Sequence, residues 1–197
     1  MDTSNHNSEF WNDRYLNDNT GWDMGMVSPP LRDYFDQLTD KDISILIPGC
    51  GNSYEAAWLL ENGFTNITLI DIAATLVDRL RTKFQSYTSP PLTLISGDFF
   101  DLQGQFDLIV EQTFFCALDP SLRKDYVAKM FDLLKPGGKL SGLLFDREFE
   151  GGPPFGGSKE EYQTLFAEKF TIRTMEACYN SIEPRAGTEV FFIVEKD

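Results

Sequence analysis

Two glycines and one acid in this sequence have the spacing of a nucleoside-binding site. Gly49 and Gly51 form a Gly-x-Gly turn directly after an apolar run, and Asp71 follows 20 residues after Gly51. Such a turn lets the backbone approach a ligand at the start of a helix, and an acid at this distance accepts hydrogen bonds from the two hydroxyls of a ribose. The alternative is that Asp71 only begins a turn or caps the helix that follows.

A second acid is followed by an aromatic residue at the end of another apolar run. Asp98 and Phe99 come after the segment LTLIS. A carboxylate there can accept a hydrogen bond from the amino group of adenine, and a phenyl ring can cover the face of the base. Together with Asp71, this pair predicts an adenosine ligand, while a turn acid beside a core phenylalanine is the alternative.

A third polar position ends the run FDLIVEQ. Glu111 and Gln112 close this run, and Phe114 and Phe115 follow almost directly. A carboxylate that is buried without a partner is costly, so we expect Glu111 to meet a cation or to stay in contact with water.

An aromatic segment precedes the first apolar run. EFWNDRYLNDNTGWDMG contains Trp11, Tyr15 and Trp22, and such rings can surround a cation at about 0.5–2 kcal/mol for each well-placed ring. Because Tyr54 occupies the position of the third glycine of a dinucleotide motif, we favour a ligand with a sulfonium cation, S-adenosylmethionine, over a nicotinamide dinucleotide. The alternative for the aromatic residues is a helix with an apolar stripe.

The elements that must position these residues alternate along the chain. Apolar runs and helical patterns follow one another from residue 43 to residue 145, which predicts a parallel sheet with helices on both faces. The last two runs, FTIRTMEACY and TEVFFIVE, can pair as an antiparallel hairpin at one edge. We therefore predict an α/β fold, a doubly wound, Rossmann-like sheet of seven mostly parallel strands with an N-terminal helical cap.

We expect one domain over 1–197, with the aromatic cap in 1–40 and the sheet with its helices in 41–197. In an open parallel sheet, ligands bind at the carboxyl ends of the strands. Because the glycine turn, Asp71, Asp98 and Glu111 each follow or end a predicted strand, they should lie along one crevice. Ser158 and Glu161 have the spacing of a capping box and predict the start of a late helix.

Composition argues against several classes of function. The 17 basic and 31 acidic residues give a net charge of −14, a field that repels nucleic acid and anionic membranes. No apolar run approaches the roughly 20 residues that cross a bilayer, and the N-terminus lacks a signal-peptide pattern, so we expect a cytoplasmic protein. The one histidine, His6, falls in a segment that we expect to be disordered, which argues against histidine-dependent catalysis and a metal site.

Several segments occur in the order that they have in a known family. They are FWNDRY, TGWDMG with SPPL, IPGCGNSYE, LIDI, GDFF, FDLIVEQTFFCALDPSLR, LLKPGG and GGPPF. In these segments the chain resembles the thiopurine S-methyltransferase-like family, especially its halide and thiol methyltransferase branch. The resemblance implies a class I S-adenosylmethionine-dependent methyltransferase. The residues implied for cofactor binding are Trp11, Tyr15, Trp22, Gly49, Gly51, Asp71, Asp98, Phe99, Glu111 and Gln112.

The resemblance leaves the methyl acceptor open. Soft anions are already electron-rich, so methyl transfer to them needs alignment and a dry site more than it needs a base. We predict direct in-line transfer to a thiol, hydrosulfide, thiocyanate or halide, with no side chain assigned as a certain catalyst. The alternatives are a thiopurine or aromatic-thiol methyltransferase, a module that binds S-adenosylmethionine without turnover, and a nicotinamide-dependent oxidoreductase.

The acceptor should lie between the cap and the loops after the fourth and fifth predicted strands. Some relatives have Tyr-Pro at the end of the fifth strand, where this chain has Phe145-Asp146 followed by Arg147. The loop GGPPFGGS is either a mobile lid or an ordered turn. We expect a small-molecule partner and a monomer or weak homo-oligomer. The candidates for the acceptor pocket are Phe114, Phe115, Phe145, Asp146, Arg147, Pro154 and Phe155.

Overall fold

A computed structural model describes residues 6–87 and 90–197 of the chain. Its centre is a single seven-stranded sheet. In chain order the strands are β1 (Ile45–Pro48), β2 (Ile67–Asp71), β3 (Leu92–Ser96), β4 (Phe106–Gln112), β5 (Leu134–Phe145), β6 (Thr171–Ala177) and β7 (Glu189–Glu195).

The strands lie in the order β3-β2-β1-β4-β5-β7-β6. The first five pair in parallel, and β7 pairs antiparallel with both β5 and β6. The register aligns Asp71 with Ser96 and Gln112 with Leu143, so the carboxyl ends of these strands lie along one edge of the sheet. The predicted fold, with mostly parallel strands and a closing antiparallel pair, is confirmed.

The antiparallel course of β7 has a consequence for this edge. Because β7 runs opposite to β6, the connection between them, 178–188, begins where β6 ends and returns to the sheet at Glu189. Glu189 pairs with Phe145 at the carboxyl end of β5. The connection therefore lies at the same edge as the carboxyl ends of the parallel strands.

Helices cover both faces of the sheet. They are α1 (Ser8–Leu16), α2 (Pro29–Phe35), α3 (Tyr54–Glu61), α4 (Ala74–Lys83), α5 (Arg123–Leu133) and α6 (Lys159–Ala167). The serine half of the predicted capping box is present, since the Ser158 hydroxyl accepts a hydrogen bond from the Glu161 backbone N–H at 3.2 Å, while the Glu161 carboxylate accepts one from Arg123.

The core has two layers, one on each face of the sheet. Along β1, Ile45 and Ile47 pack into the layer formed with α1 to α4, whereas Leu46 packs into the layer formed with α5 and α6. Successive side chains of a strand point to opposite faces, so β1 is buried on both sides. This double burial holds the strand ends that carry the candidate site.

The N-terminal segment is more ordered than we predicted at His6. The imidazole ring packs edge-on against Phe10 and Phe155, with ring centroids 4.8 and 5.8 Å apart. The expectation of a disordered tail at this residue is therefore corrected. Phe10 lies four residues along the chain from His6, but Phe155 comes from a distant loop, and this second ring is a packing surface that the sequence around His6 does not indicate.

Across the described ranges, no helix combines the length and the apolar character that crossing a bilayer requires. Within the same ranges, the structure brings together no group of three histidine, cysteine, aspartate or glutamate side chains suited to a metal ion. Cys50, Cys116 and Cys178 are free and buried, as small apolar residues would be.

Candidate functional site

Two adjoining cavities lie at the carboxyl edge of the sheet. The larger has a volume of about 440 Å³ and the smaller about 190 Å³. Four residues line both cavities, which places them at the junction. They are Trp11, Gly49, Thr113 and Ala117.

The smaller cavity contains the predicted adenosine-binding residues. Asp71, Asp98 and Phe99 all line it, together with Gly49 from the glycine turn. They come from the ends of three strands, and the parallel register of those strands brings them together. His6, from the segment before α1, also lines this cavity.

Asp71 is the most buried acid of the smaller cavity. Its Oδ1 accepts a hydrogen bond from the Ala73 N–H at 2.9 Å, and its Oδ2 accepts a longer one from the Gly51 N–H at 3.3 Å. Burial raises the pKa of Asp71 to about 6, although these backbone donors act in the opposite direction. The carboxylate thus fixes the glycine turn and keeps acceptor capacity for hydroxyl donors.

Asp98 and Phe99 differ in how far their side chains are exposed. The exposed Asp98 accepts a hydrogen bond from the Phe100 N–H at 2.8 Å through Oδ1 and so caps a short 3₁₀ turn. Phe99 is only 4% exposed and packs against Phe114, with ring centroids 5.2 Å apart. The two residues line the predicted cavity. They also fit the alternative, because Asp98 caps a turn and Phe99 packs in the core.

The two glycines of the turn have left-handed backbones. Gly49 has φ +54° and Gly51 has φ +51°. A Cβ atom on Gly49 would lie 2.3 Å from the ring of Phe114, whereas on Gly51 it would meet only the Tyr15 hydroxyl at 3.7 Å. The left-handed backbone and the close contact with Phe114 both require glycine at position 49. This residue lies where the two cavities adjoin.

The aromatic cap divides into two rings that face the cavities and one that does not. Trp22 lines the larger cavity and Trp11 lines both, and their rings meet edge to face at 5.5 Å. Tyr15 is 4% exposed and lines neither cavity; it packs against Trp22 in the core. Its hydroxyl lies 3.7 Å from the position that a Cβ atom on Gly51 would take, so the assignment of Tyr15 to the cofactor site stays a prediction.

Trp22 is held in place by residues on both sides of the larger cavity. Its carbonyl accepts a hydrogen bond from Arg185 Nη2 at 2.8 Å. The next residue, Asp23, accepts hydrogen bonds from the side chains of Asn52 and Tyr54. These contacts attach the cap to the glycine turn and to the connection between β6 and β7.

Glu111 has a different role from the one we predicted. It is fully buried and lines neither cavity. Its Oε1 accepts hydrogen bonds from the N–H groups of Phe114 and Phe115 at 2.8 and 2.9 Å, and its Oε2 accepts one from the Tyr126 hydroxyl at 2.5 Å. The expectation that it meets a cation or water, and the assignment to the cofactor, are corrected. The carboxyl stabilises the turn at Thr113, whose φ is +60°.

The buried position of Glu111 predicts a pH dependence of stability. Burial raises its pKa from 4.5 to about 7. Between these values the folded protein binds more protons than the unfolded chain, so the free energy of unfolding falls as the pH rises through this window. We expect Glu111 to contribute a decrease on the order of 3 kcal/mol between pH 4.5 and 7.

Chemical denaturation at pH 5, 6 and 7 measures this decrease in the ligand-free protein. Glu111→Gln is the matched variant, because it keeps an acceptor oxygen and has no proton to lose in this range. Asp71 also has a raised pKa, so the variant should show a smaller slope rather than none. Equal slopes for the variant and the wild type would contradict the assignment.

The larger cavity contains some of the predicted acceptor residues. Phe145, Arg147 and Pro154 line it, together with Gln112 at the end of β4. Both side-chain polar atoms of Gln112 are buried and have no hydrogen-bond partner among the described residues. A buried amide without partners is costly, so this group suits a polar ligand atom in the cavity.

The other four acceptor candidates lie elsewhere. Phe114 lines the smaller cavity, and Phe115 is 1% exposed in the core beside Tyr126 and Tyr162. Asp146 is exposed and accepts a hydrogen bond from the Lys159 N–H at 2.9 Å, at the start of α6. Phe155 lines neither cavity and packs against His6. Backbone turns after β4 and β5, which the sequence does not specify, direct these side chains away from the acceptor side.

We did not predict Arg185 from the sequence, although it is the most buried basic residue of the larger cavity. It is 8% exposed, its Nη1 lies 3.3 Å from Glu189 Oε1, and its guanidinium lies 5.4 Å from the centre of the Phe145 ring. The available signal was the predicted hairpin, since its connection must return to the carboxyl edge. Other residues missed in this cavity are Met24, Met26, Phe149 and Pro153.

Comparison of the sequence with known proteins identifies the family of this chain. A sequence model of the family described as Thiopurine S-methyltransferase (TPMT) matches residues 6–196. A probable thiol methyltransferase 2 of Arabidopsis thaliana is 33% identical over 194 residues, covering 94% of this chain and 84% of the relative. A thiopurine S-methyltransferase of Acinetobacter baylyi is 32% identical over 192 residues, covering 85% of this chain and 87% of the relative.

Solved structures share the fold at lower identity. The 1,6-didemethyltoxoflavin-N1-methyltransferase of Burkholderia thailandensis, solved with S-adenosylhomocysteine, has a TM-score of 0.74 at 18% identity over 96% of this chain and 86% of that one. A TehB-like SAM-dependent methyltransferase of Corynebacterium glutamicum has a TM-score of 0.67 at 17% identity over 96% and 98%. On the family match and the identity to its relatives, the chain belongs to the thiopurine S-methyltransferase family.

Proposed function

We propose that the protein is an S-adenosylmethionine-dependent methyltransferase that moves a methyl group to a small soft nucleophile by direct in-line displacement. The observation that carries this proposal is the pair of cavities that meet at Trp11 and Thr113. One cavity has the acids of an adenosine site, and the other has an apolar lining with a buried guanidinium. Membership of a methyltransferase family supports the same reaction class.

The residues that line the two cavities fit S-adenosylmethionine as the cofactor. Asp71 would accept hydrogen bonds from the ribose hydroxyls, and Asp98 with Phe99 would contact the adenine. The unpartnered amide of Gln112 offers hydrogen bonds to a polar group in the larger cavity. Trp11 and Trp22 would lie beside the sulfonium, because one lines the junction and the other the larger cavity.

When bound, S-adenosylmethionine supplies an electrophilic methyl group on a positively charged sulfur. The side chains of this protein have two tasks in such a transfer: to align the acceptor and to exclude water. Trp11 lines both cavities and packs edge to face against Trp22, and the Glu111 hydrogen bonds hold the turn at Thr113, which also lines both. Neither task requires a general base when the acceptor is already an anion.

The larger cavity suits an acceptor that is soft and negatively charged. Phe145, Phe149 and Pro153 give it an apolar lining, and the guanidinium of Arg185, which is paired with Glu189, lies beside Phe145 as a donor that an anion can approach. Weakly hydrated anions lose little on leaving water, so thiolates, hydrosulfide, thiocyanate and heavy halides match this lining. A thiopurine or another aromatic thiolate is the second candidate, since a volume of about 440 Å³ admits a flat ring.

The test of the proposal is S-adenosylhomocysteine production by the purified protein. The acceptor panel contains iodide, hydrosulfide, thiocyanate, an aromatic thiol and a thiopurine, each incubated with S-adenosylmethionine. We expect turnover with at least one member, and the ranking of kcat/KM separates small anions from flat rings. Saturable cofactor binding without product from any member would instead favour a module that binds S-adenosylmethionine without turnover.

A further inference from the structure

Glu55 is a buried acid of the larger cavity with no role in the function described above. It lies in the first turn of α3, directly after the glycine turn, and is 6% exposed. Its side chain lines the cavity, and its Oε1 accepts a hydrogen bond from the Ser28 N–H at 3.0 Å. One such bond occupies only part of the acceptor capacity of a carboxylate.

No basic side chain of the described residues lies within salt-bridge distance of Glu55. The two basic groups that act on it electrostatically are Lys83 and Arg185. Lys83 donates a hydrogen bond to the Asn52 carbonyl at 2.6 Å, and Arg185 bonds to Glu189 and to the Trp22 carbonyl. Burial raises the pKa of Glu55 above 4.5, and these two cations offset that effect only in part.

A buried carboxylate that has no salt-bridge partner favours a cationic ligand. Burying a charge without a counter-charge is costly, and a cation that enters the cavity removes the cost. A sulfonium has no hydrogen to donate, whereas an ammonium group has three N–H donors. A carboxylate placed against Glu55 would be repelled, so an amino-acid ligand would turn its ammonium group toward Glu55. The chemistry of Glu55 therefore matches an ammonium group.

The chain path places Glu55 where such a group would arrive. The Gly51 N–H bonds to Asp71, so the glycine turn begins beside the proposed ribose position. From there, residues 51–55 continue along the larger cavity. We infer that Glu55 accepts a hydrogen bond from the α-ammonium group of S-adenosylmethionine, an inference that rests on the proposed function for the identity of the cofactor.

The test measures the affinities of two ligands by titration calorimetry, without turnover. One ligand is S-adenosylhomocysteine, and the other is its deaminated analogue, in which hydrogen replaces the ammonium group. We expect the wild type to bind the analogue about tenfold more weakly or worse, as for the loss of one charge-assisted hydrogen bond. Glu55→Gln should bind S-adenosylhomocysteine about tenfold more weakly than the wild type and should bind the two ligands within about twofold of one another.

Asp71→Asn is the matched control, because it should weaken both ligands equally. A Glu55→Gln variant that weakens both ligands by the same factor would make Glu55 a purely structural partner of Ser28 and overturn the inference. Equal affinity of the wild type for the two ligands would overturn it as well, and that measurement needs no variant. If the wild type binds neither ligand, the cofactor assignment itself fails, an outcome distinct from the other two.

Discussion

Replacing Asp71 with alanine is expected to weaken the binding of S-adenosylhomocysteine by about 100-fold or more. Two hydrogen bonds from ribose hydroxyls to a carboxylate would be lost, each worth about 1.5–3 kcal/mol. The buried position of Asp71 makes water a poor substitute for these donors. Titration calorimetry at pH 8 measures the effect where the carboxyl, with a pKa of about 6, is ionised in the wild type.

The same site predicts how affinity depends on pH. Ribose hydroxyls donate to the ionised carboxylate, so wild-type affinity should fall as the pH drops below about 6 and Asp71 takes up a proton. Asp71→Asn is the matched control, since it keeps one acceptor oxygen for the Ala73 N–H and does not titrate. An affinity that Asp71→Ala leaves unchanged would refute the assignment to the ribose.

Replacing Gly49 with alanine is expected to weaken cofactor binding at least tenfold and to lower stability. The new methyl group would lie 2.3 Å from the Phe114 ring, which lines the smaller cavity, and φ +54° disfavours any side chain. The left-handed backbone costs about 1–2 kcal/mol and the overpacking about 1–3 kcal/mol. Because the ring must move to accept the methyl group, we expect at least a tenfold loss of S-adenosylhomocysteine affinity, beyond about 1.4 kcal/mol.

Gly63→Ala separates the two effects. Gly63 has φ +84° after α3, and a Cβ atom there has no neighbour within 4 Å. This variant should lose the backbone contribution of about 1–2 kcal/mol in denaturant unfolding and bind the cofactor normally. Normal binding by Gly49→Ala would show that the Phe114 ring can yield without loss of the cavity.

The fold could be predicted because its signals are local and periodic. A run such as ILIP, apolar at successive positions, is typical of a strand that is buried on both faces, and β1 has this burial. Strand ends that lie side by side then bring Gly49, Asp71 and Asp98 together. The positions of the residues proposed to bind adenosine therefore follow from the sheet alone.

The direction in which individual side chains face could not be predicted in the same way. Tyr15, Phe115 and Glu111 stand beside true cavity residues in the sequence, and only the phase of a helix or the path of a turn decides which way they face. At Glu111, the hydrogen bonds that replace water come from the next turn and from Tyr126 on α5. Such partners lie outside any pattern of strand and helix.

Arg185 shows a different reason for a missed residue. Its loop, NSIEPRAG, has the composition of an ordinary turn. Its place at the site depends on the antiparallel insertion of β7 between β5 and β6, which turns the connection toward the carboxyl edge. The order in which strands pair is a long-range property, so nothing within the loop itself marks Arg185 as a residue of the site.

The division of the site between two cavities has a consequence for how acceptor range can change over evolution. Residues 145–154 and 184–188 contribute only to the larger cavity, whereas the second and third strand ends contribute only to the smaller one. Substitutions in the two late segments can therefore diversify the acceptor while the adenosine contacts stay intact. Under the proposed function, the acceptor of this protein can thus change without rebuilding the cofactor site, and the residues that line both cavities mark the boundary.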